Sequence, residues 1–298
     1  MRIGTIGLGA MGAPMTRNLA REGDSVMCYD IDPEKVAALA ADGTTPAASI
    51  AELAENCELV VTMISDDAAL DAVIFGEQGL LSVPFKGCAI DISTTSATIA
   101  RRCAAAIEAQ GGRFLDGAVI GGGAPAATAG TSPIVVSGDH ALFERYASRL
   151  ARLGHCDFVG ELGNAKIVKI INNMLVGIIT ASNAEALSLG MAAGMDLTEM
   201  VEGLKAGSGS STVLASYMGR YVEQDSYGVG LIGHRLMAKD MSLACQLADE
   251  TAFPAHFAEL ARQLYMWSGS ALGENRMFPS VFELFQRDTG HPFETPGA

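Results

Sequence analysis

The sequence predicts an α/β domain followed by an all-α domain, with one long helix joining the two. Short apolar runs alternate with helical patterns up to about residue 160, strand-like runs are missing beyond it, and residues 163–191 have the pattern of one uninterrupted helix. Alternating strands and helices are typical of a parallel sheet covered by helices. We therefore expect a first domain of residues 1–160 and an all-helical second domain of residues 161–298.

The predicted elements follow from the period of the apolar residues. The strand-like runs cover residues 2–7, 25–30, 59–64, 88–93, 113–119, 132–138 and 156–160. Helical patterns rich in Ala and Leu lie between them, for example at residues 11–22, 33–41 and 98–110. In the second domain, helices are expected around residues 196–206, 210–224, 234–250, 254–270 and 277–288.

Composition excludes some classes of function. The 298 residues carry 20 Lys and Arg against 34 Asp and Glu, a net charge of −14, which argues against a nucleic-acid surface. An anionic substrate would therefore need locally placed cations. Six scattered cysteines form no C-x-x-C pair or metal-ligand spacing, so we expect reduced thiols, no metal and a cytoplasmic location. The N-terminus has no signal-peptide layout, and the most apolar helix carries too many polar residues for a good membrane span.

A glycine-rich turn follows the first strand. The stretch TIGLGAMGAPMTRNLA has the pattern Gly7-x-Gly9-x-x-Gly12, with a helix expected from Ala10 onward. The pattern alone also fits an ordinary turn, but its place between a strand and a helix is typical of a Rossmann-type dinucleotide-binding domain. Gly7 permits the tight turn, Gly9 lets the backbone approach a pyrophosphate, and Gly12 allows close helix packing. The helix N-terminus then offers free N–H groups to phosphate.

A carboxylate at the end of the second strand indicates which dinucleotide binds. Asp30 lies 18 residues past Gly12, close to the spacing of about 20 that is typical of a ribose-binding acid. It can accept hydrogen bonds from the adenosine ribose hydroxyls and would repel a 2′-phosphate, and Ile31 and Asp32 follow it rather than an Arg. This favours NAD over NADP. A helix N-cap is the alternative role for Asp30, although Asp32 before Pro33 suits that role better.

A polar group interrupts the long apolar helix. Lys169, Asn172 and Asn173 are spaced i, i+3 and i+4, so they can share one helix face. A lysine in an apolar cleft has its pKa lowered by burial and can exchange a proton with a substrate hydroxyl. The alternative is that Lys169 reaches solvent, as we expect for Lys166 at the helix start. The clustering near a domain boundary favours a catalytic site.

These motifs together resemble the β-hydroxyacid dehydrogenase family, the group that includes 3-hydroxyisobutyrate dehydrogenase and tartronate semialdehyde reductase. The N-terminal signature of the family is matched by GLGAMGAPMTRNL (7–19), and its K-x-x-N-N motif by Lys169, Asn172 and Asn173. Its D-x-S-T motif is matched by DIST (91–94) and its L-M-x-K-D motif by LMAKD (236–240). The resemblance covers nearly the whole chain, with the motifs in the same order.

The resemblance implies a Rossmann-type NAD-binding domain, a 6-phosphogluconate dehydrogenase-like helical C-terminal domain, and roles for individual residues. Lys169 is implied as the catalytic acid/base and Asn173 as a substrate ligand. Without the resemblance, Lys239 would be a surface charge paired with Asp240, and Thr94 an N-cap at a strand end. The implied cofactor-binding residues are Gly7, Leu8, Gly9, Ala10, Met11, Gly12, Asp30, Met63, Ile64, Thr94 and Lys239.

The expected substrate loop, DGAVIGGGAPAATAGT (116–131), departs from the family pattern. Ile120 replaces the serine that usually helps to hold the substrate carboxylate, Ala118 replaces a proline, and Ile232 replaces a common phenylalanine. Either the backbone N–H groups of Gly121 and Gly122 hold the carboxylate, or the substrate carries an apolar part at this position. A third possibility is that Ile120 belongs to the core. We keep Ile120, Gly121 and Gly122 as predicted substrate-binding residues.

The leading functional hypothesis is an NAD-dependent enzyme that interconverts a 3-hydroxy acid and its semialdehyde or 3-oxo acid. One alternative is an imine reductase acting on an apolar amine, which would suit Ile120, although those enzymes usually replace the lysine that Lys169 matches. Another is a non-catalytic dinucleotide-binding scaffold. 6-Phosphogluconate dehydrogenase shares the opening motif, but its helical domain is larger. The apolar helical domain favours a homodimer or homotetramer. The expected partner is a small-molecule substrate, and we expect no nucleic-acid and no membrane partner.

Overall fold

The computed structural model describes residues 1–21, 23–218 and 232–289. The chain divides into two compact units, Met1–Lys169 and Ile170–Ala298, and the division falls inside the long helix rather than at residue 160. The first unit contains a parallel-dominant sheet with helices on both faces, and the described part of the second is helical. The predicted fold class is therefore confirmed.

Eight strands form one sheet among the described residues of the first unit. They are β1 (Arg2–Ile6), β2 (Ser25–Tyr29), β3 (Thr45–Pro46), β4 (Leu59–Thr62), β5 (Cys88–Asp91), β6 (Arg113–Val119), β7 (Ser132–Gly138) and β8 (Gly154–Phe158). Their order across the sheet is β3-β2-β1-β4-β5-β6-β7-β8. The strand order reverses between β1 and β4, and open α/β sheets bind their ligands at such a switch point, beyond the carboxyl ends of the strands.

One strand pair departs from the parallel sheet that the sequence predicts. β7 runs antiparallel to β6, while every other neighbouring pair is parallel. The connection between them, residues 120–131, contains a helix of only seven residues, about 10 Å long. Because that helix is too short to return the chain to the start of β6, the next strand has to run in the opposite direction.

Seven helices lie in the described part of the first unit before the long helix. They are α1 (Gly12–Ala20), α2 (Pro33–Ala40), α3 (Ile50–Asn56), α4 (Asp67–Phe75), α5 (Ala97–Ala109), α6 (Gly123–Ala129) and α7 (His140–Leu150). The predicted helices α1, α2 and α5 are present, and their ends differ from the predicted ones by at most two residues. Asp32 caps α2 by accepting a hydrogen bond from the Glu34 N–H at 3.0 Å, as predicted.

The sheet separates two apolar cores. Alternate residues of each strand point to opposite faces, as in Val60 toward one core and Leu59 and Val61 toward the other. Helices α3, α4 and α5 cover the first face with side chains such as Leu53 and Ile74, and helices α1 and α7 cover the second. A sheet buried on both faces explains why the strand sequences are continuous apolar runs.

The long helix, α8 (Asn164–Ala192), leads from the first unit into the second. It is followed by α9 (Leu197–Lys205), a π-helical turn (Leu214–Met218), α10 (His234–Glu250), α11 (His256–Leu272), a 3₁₀ turn (Phe278–Val281) and α12 (Phe282–Thr289). Residues 219–224 of the predicted helix 210–224 lie outside the described residues.

Helix α8 has the length and apolar composition of a membrane span, and part of it contributes to the cores of the protein. Ala184 and Leu187 belong to the apolar core of the second unit, together with Met241 and Tyr265. The Tyr265 hydroxyl donates to the carbonyl oxygen of Gly177 at 2.9 Å, and burial raises the pKa of this tyrosine.

Candidate active site

The glycine turn has a distinct geometry at each of its three glycines. Gly7 has φ of +89°, and a Cβ there would lie 2.3 Å from the carbonyl oxygen of Met63. A Cβ on Gly12 would lie 1.9 Å from the carbonyl oxygen of Gly7, so only glycine allows α1 to approach the turn. A Cβ on Gly9 would meet nothing within 4 Å, so the turn is open on that side. Space for a ligand therefore exists at Gly9 and at neither of the other two glycines.

The start of helix α1 leaves its first N–H groups without a side-chain cap. The helix begins at Gly12, two residues later than expected, and the N-cap residue Met11 makes no capping hydrogen bond. The first turn contains no acidic side chain. Since uncapped N–H groups at a helix N-terminus attract anions, this end suits a pyrophosphate. Ala10 is exposed beside it, and Leu8 is buried against Cys28 and Leu39.

Asp30 is oriented toward the glycine turn by backbone groups. Its Oδ2 accepts a hydrogen bond from the Leu8 N–H at 2.6 Å, and its Oδ1 accepts one from the Asp32 N–H at 2.9 Å. Lys35 Nζ lies 3.7 Å from Asp30 Oδ1 and 3.5 Å from Asp32 Oδ2. Sequence reasoning missed Lys35, although its position in the first turn of α2 could have indicated it. The carboxylate is held in place at the carboxyl end of β2, where the ribose of a dinucleotide would lie.

The predicted segment at Met63–Ile64 adjoins the glycine turn at Gly7, and a hydrogen bond links it to the segment that contains Thr94. The Ile64 N–H donates to the Ser93 hydroxyl at 2.9 Å. That hydroxyl donates in turn to Asp91 Oδ1 at 2.5 Å, and the Thr95 hydroxyl donates to Asp91 Oδ2 at 3.2 Å. Thr94 therefore lies between two residues that are anchored on one buried carboxylate.

Lys166 lies where the sequence did not predict it. We expected an exposed side chain at the helix start, but Lys166 is 0% exposed. Its Nζ lies 2.7 Å from Asp91 Oδ2 and donates to the carbonyl oxygens of Asp91 (3.0 Å), Ser93 (2.9 Å) and Gly117 (2.7 Å). Burial alone would raise the pKa of Asp91, but the Lys166 ammonium and the hydrogen bonds that the carboxylate accepts together lower this pKa below its usual value. The expectation was wrong because three backbone carbonyls and a carboxylate replace the water that a lysine normally requires.

The first turn of α8 is capped from the sheet. Asp116 Oδ1 accepts hydrogen bonds from the Gly163 N–H at 3.0 Å and the Ser137 hydroxyl at 2.6 Å. The Ser137 hydroxyl accepts in turn from the Ala165 N–H at 2.9 Å. Asp116 and Ser137 are both fully buried. A negative charge at the helix N-terminus is favourable, and here it fixes α8 to β6 and β7.

One turn beyond Lys166, helix α8 carries the predicted catalytic group. Lys169 is half-buried and belongs to the first unit. Within the second unit, the Asn172 Nδ2 donates to Asn173 Oδ1 at 3.0 Å, and the Asn173 Nδ2 donates to Asp240 Oδ2 at 2.7 Å.

Lys239 and Asp240 form an ion pair, as expected for Lys239 when the family resemblance is left aside. Lys239 Nζ lies 3.3 Å from Asp240 Oδ1, and Asp240 is buried. The K-x-x-N-N and L-M-x-K-D motifs are therefore joined through Asp240, a residue that the sequence analysis did not select. Its place next to Lys239 was the available signal.

The substrate loop places Ile120 partly in the core. Ile120 is half-buried and packs against the small apolar cluster of Ala118, Val135 and Ala165, and its N–H donates to the Pro133 carbonyl at 2.9 Å. Gly122 has φ of +79°, and a Cβ there would lie 2.4 Å from the Ala126 Cβ. The packing of Ile120 favours the third of the possibilities raised for it, a place in the core.

The sheet order, the glycine turn and the oriented Asp30 define a dinucleotide-dependent enzyme of the Rossmann class, and comparison with known proteins identifies the family. Residues 2–162 match the model of the NAD-binding domain of 6-phosphogluconate dehydrogenase. Residues 163–284 match the model described as the NAD-binding domain of NADP-dependent 3-hydroxyisobutyrate dehydrogenase.

Individual relatives match over nearly their whole length. The 3-hydroxyisobutyrate dehydrogenase of Pseudomonas aeruginosa is 34% identical over 95% of this chain and 98% of its own. The 2-(hydroxymethyl)glutarate dehydrogenase of Eubacterium barkeri is 32% identical over 97% of this chain and 96% of its own. The structure of Mycobacterium tuberculosis 3-hydroxyisobutyrate dehydrogenase with L-serine has a TM-score of 0.88 at 25% identity, covering 96% of this chain and 99% of that one.

The chain therefore belongs to the β-hydroxyacid dehydrogenase family. It is an oxidoreductase that binds NAD and converts a small hydroxy acid, as predicted. These relatives favour hydroxy-acid oxidation over imine reduction.

Proposed function

We propose that the chain oxidises a 3-hydroxy acid with a primary alcohol to its semialdehyde, with Lys169 as the general acid/base. In the forward direction the neutral Lys169 amine accepts the hydroxyl proton, and in reverse its ammonium returns that proton to the carbonyl oxygen. NAD, when bound, supplies the ring that accepts a hydride from the carbinol carbon. The position of Lys169, one turn after a helix start fixed by two buried aspartates, is the observation that carries this proposal.

The described residues fit NAD at the glycine turn. The open side of Gly9 and the uncapped start of α1 would receive the pyrophosphate, and Asp30 would accept from the ribose hydroxyls. A 2′-phosphate would meet the Asp30 carboxylate, which supports NAD over NADP. Residues 7–12, Met63, Ile64 and Thr94 are proposed as the cofactor-binding set of residues 1–160, with Lys239 added from residues 161–298.

The substrate class follows from what the relatives' names share. 3-Hydroxyisobutyrate, 2-(hydroxymethyl)glutarate and L-serine each carry a primary alcohol on the carbon next to the one that bears a carboxylate. They differ in the group on that middle carbon. We propose a substrate of this form, 3-hydroxypropanoate substituted at carbon 2. Asn173 and the backbone of Gly121 and Gly122 would hold it, and Ile120 would line the loop without providing a hydroxyl.

We further propose a cytoplasmic homodimer or homotetramer. Helix α11 exposes an apolar stripe, namely Phe257 (71% exposed), Leu260 (69%) and Trp267 (49%). Residues at i, i+3 and i+10 share one side of a helix, so these side chains form a single strip on the second unit. Apolar strips of this kind commonly mark subunit interfaces.

A substrate panel tests the proposed chemistry. NADH formation would be followed with L-serine, 3-hydroxyisobutyrate, 2-(hydroxymethyl)glutarate and cyclic amines, for the wild type and for Lys169→Ala. The proposal expects turnover of the acids that disappears in the variant. Turnover confined to amines would indicate an imine reductase, and cofactor binding without any turnover would indicate a scaffold.

A further inference from the structure

The buried pair of Lys166 and Asp91 ties the first turn of α8 to the end of β5, and the proposed proton transfer does not use it. Thr62 and Asp91 are the last residues of β4 and β5, and their register partner in β6 is Asp116, in the middle of that strand. All three are buried, and two of them are acids. The Thr62 hydroxyl donates to Asp91 Oδ1 at 2.6 Å. The carboxyl ends of β4 and β5 are thus joined by a side-chain hydrogen bond, next to a buried acid of β6.

Lys166 is the one side chain in this group that comes from helix α8. Its ammonium contacts four oxygen atoms: Asp91 Oδ2 and the carbonyls of Asp91, Ser93 and Gly117. A buried lysine charge is costly unless it is paired and hydrogen-bonded, and this ammonium is both. Since the four acceptors belong to β5, to the segment after it and to β6, one nitrogen fixes three backbone segments to the first turn of α8.

Each of these fixed segments leads into a predicted functional residue. Lys169 lies three residues after Lys166 on the same helix. Thr94 lies between Ser93 and Thr95, which are both anchored on Asp91. The Ser93 hydroxyl also receives the Ile64 N–H, and β6 leads from Gly117 to the loop at Ile120.

We propose that Lys166 is a positioning residue: it sets the placement of Lys169 relative to the cofactor-binding segments at Ile64 and Thr94. The proposal rests on the proposed role of Lys169. A side chain with a purely structural role would change stability and leave the chemical step alone. A positioning residue changes turnover even where stability is restored, because misplacement by about 1 Å can lower a rate by roughly 100-fold.

Two variants separate these possibilities. Lys166→Met leaves the Asp91 charge buried without its partner, so we expect the melting temperature to fall by roughly 10 °C and kcat by roughly 100-fold. The double variant Lys166→Met/Asp91→Asn removes both charges, and removing a whole buried pair is often close to neutral for stability. We expect its melting temperature to recover while kcat stays at least about 10-fold low, since the ammonium that gathers the three carbonyls is still missing.

Asp24→Asn is the matched control. Asp24 is also a poorly exposed carboxylate in an ion-pair network, with the N-terminal amine at 2.9 Å, Arg152 at 3.1 Å and Arg149 at 3.3 Å, and it contacts none of the predicted site residues. We expect its replacement to lower the melting temperature and to leave kcat and the Kd for NADH unchanged.

The values of kcat, KM and the Kd for NADH, the last by fluorescence, are measured at about 25 °C. The melting temperature is measured by circular dichroism in a thermal ramp. A double variant with wild-type kcat would overturn the proposal, as would a folded Lys166→Met with kcat within about threefold of wild type. Lys169→Ala is measured alongside. If Lys169→Ala keeps its activity, the proposed function fails; if it is inactive while the double variant is fully active, only the positioning role fails.

Discussion

Gly9 and Gly12 in the glycine turn have separable functions, because the space around the two residues differs. Gly12 has no room for a methyl group, whereas Gly9 has no atom within 4 Å of an added Cβ. The sequence pattern assigns Gly9 to ligand approach and Gly12 to close helix packing, and the space around an added Cβ at each position agrees with that assignment.

Gly9→Ala and Gly12→Ala test this difference directly. We expect Gly9→Ala to keep the wild-type melting temperature and to raise the Kd for NADH by roughly 10-fold, because a methyl group would lie where the pyrophosphate approaches. Gly12→Ala should lower the melting temperature, because its Cβ collides with the Gly7 carbonyl. Thermal unfolding and NADH fluorescence titration measure the two effects. Equal stability loss in both variants would contradict this account.

Asp240 is a second single residue whose role can be tested, because its carboxylate contacts both Asn173 and Lys239. Asp240→Asn keeps the shape and removes the charge that holds the Asn173 amide. Since hydrogen bonds to charged groups contribute about 1.5–3 kcal/mol, we expect KM for the hydroxy acid to rise at least roughly 10-fold. Asp249→Asn, at an exposed position on the same helix, is the control and should leave steady-state kinetics unchanged. An unchanged KM in Asp240→Asn would exclude this role for Asp240.

At the scale of elements, the sequence predicts the helices and strands whose apolar residues have a clear period. It misses the features that depend on residues far away in the chain. The central strands and helices α1, α2, α5 and α8 follow from apolar runs and repeats. Helix α6 and the antiparallel β7 depend on the length of the connection between strands, which the apolar pattern does not reveal. The burial of Lys166 depends on carbonyl groups 49 to 75 residues away, so the local sequence favours the usual exposed lysine.

The first residue of helix α10, His234, is a titratable group whose burial makes the stability of the protein depend on pH. His234 is fully buried, and its Nε2 hydrogen-bonds with the Ser280 hydroxyl at 2.7 Å. Burial, with a smaller effect of Arg276, lowers the pKa of His234 to about 4 from 6.5. The folded state therefore favours the neutral ring more than the unfolded state does. The contribution of neutral His234 to the stability of the folded state is complete above pH 6.5 and is lost as the pH falls toward 4.

We expect the free energy of unfolding to decrease by up to about 3 kcal/mol between pH 6.5 and pH 4 because the unfolded state binds the extra proton. Urea unfolding at several pH values measures this. His234→Gln should flatten the dependence in this window, while His256→Gln, at an exposed position on α11, should retain it. A dependence that is the same in all three proteins would exclude His234 as its origin.

At the scale of the whole molecule, the exposed apolar strip on α11 predicts assembly. Leu260→Asp places a charge in the centre of the strip formed with Phe257 and Trp267, and we expect sedimentation to report a shift from dimer or tetramer toward the 30.9 kDa monomer. Ser148→Asp adds the same charge at an exposed position on α7 and should leave the assembly intact. A wild-type protein that sediments as a monomer would contradict the proposal.

Catalysis by Lys169 is the central claim, and single-turnover hydride transfer tests it most directly. The rate would be measured by stopped-flow absorbance at saturating NAD and hydroxy acid, for the wild type and Lys169→Ala, with the NADH affinity of each determined separately. Loss of a general acid/base predicts a rate lower by roughly 10²- to 10⁴-fold with little change in NADH affinity. A Lys169→Ala protein that binds NADH normally and transfers hydride at nearly the wild-type rate would contradict the account.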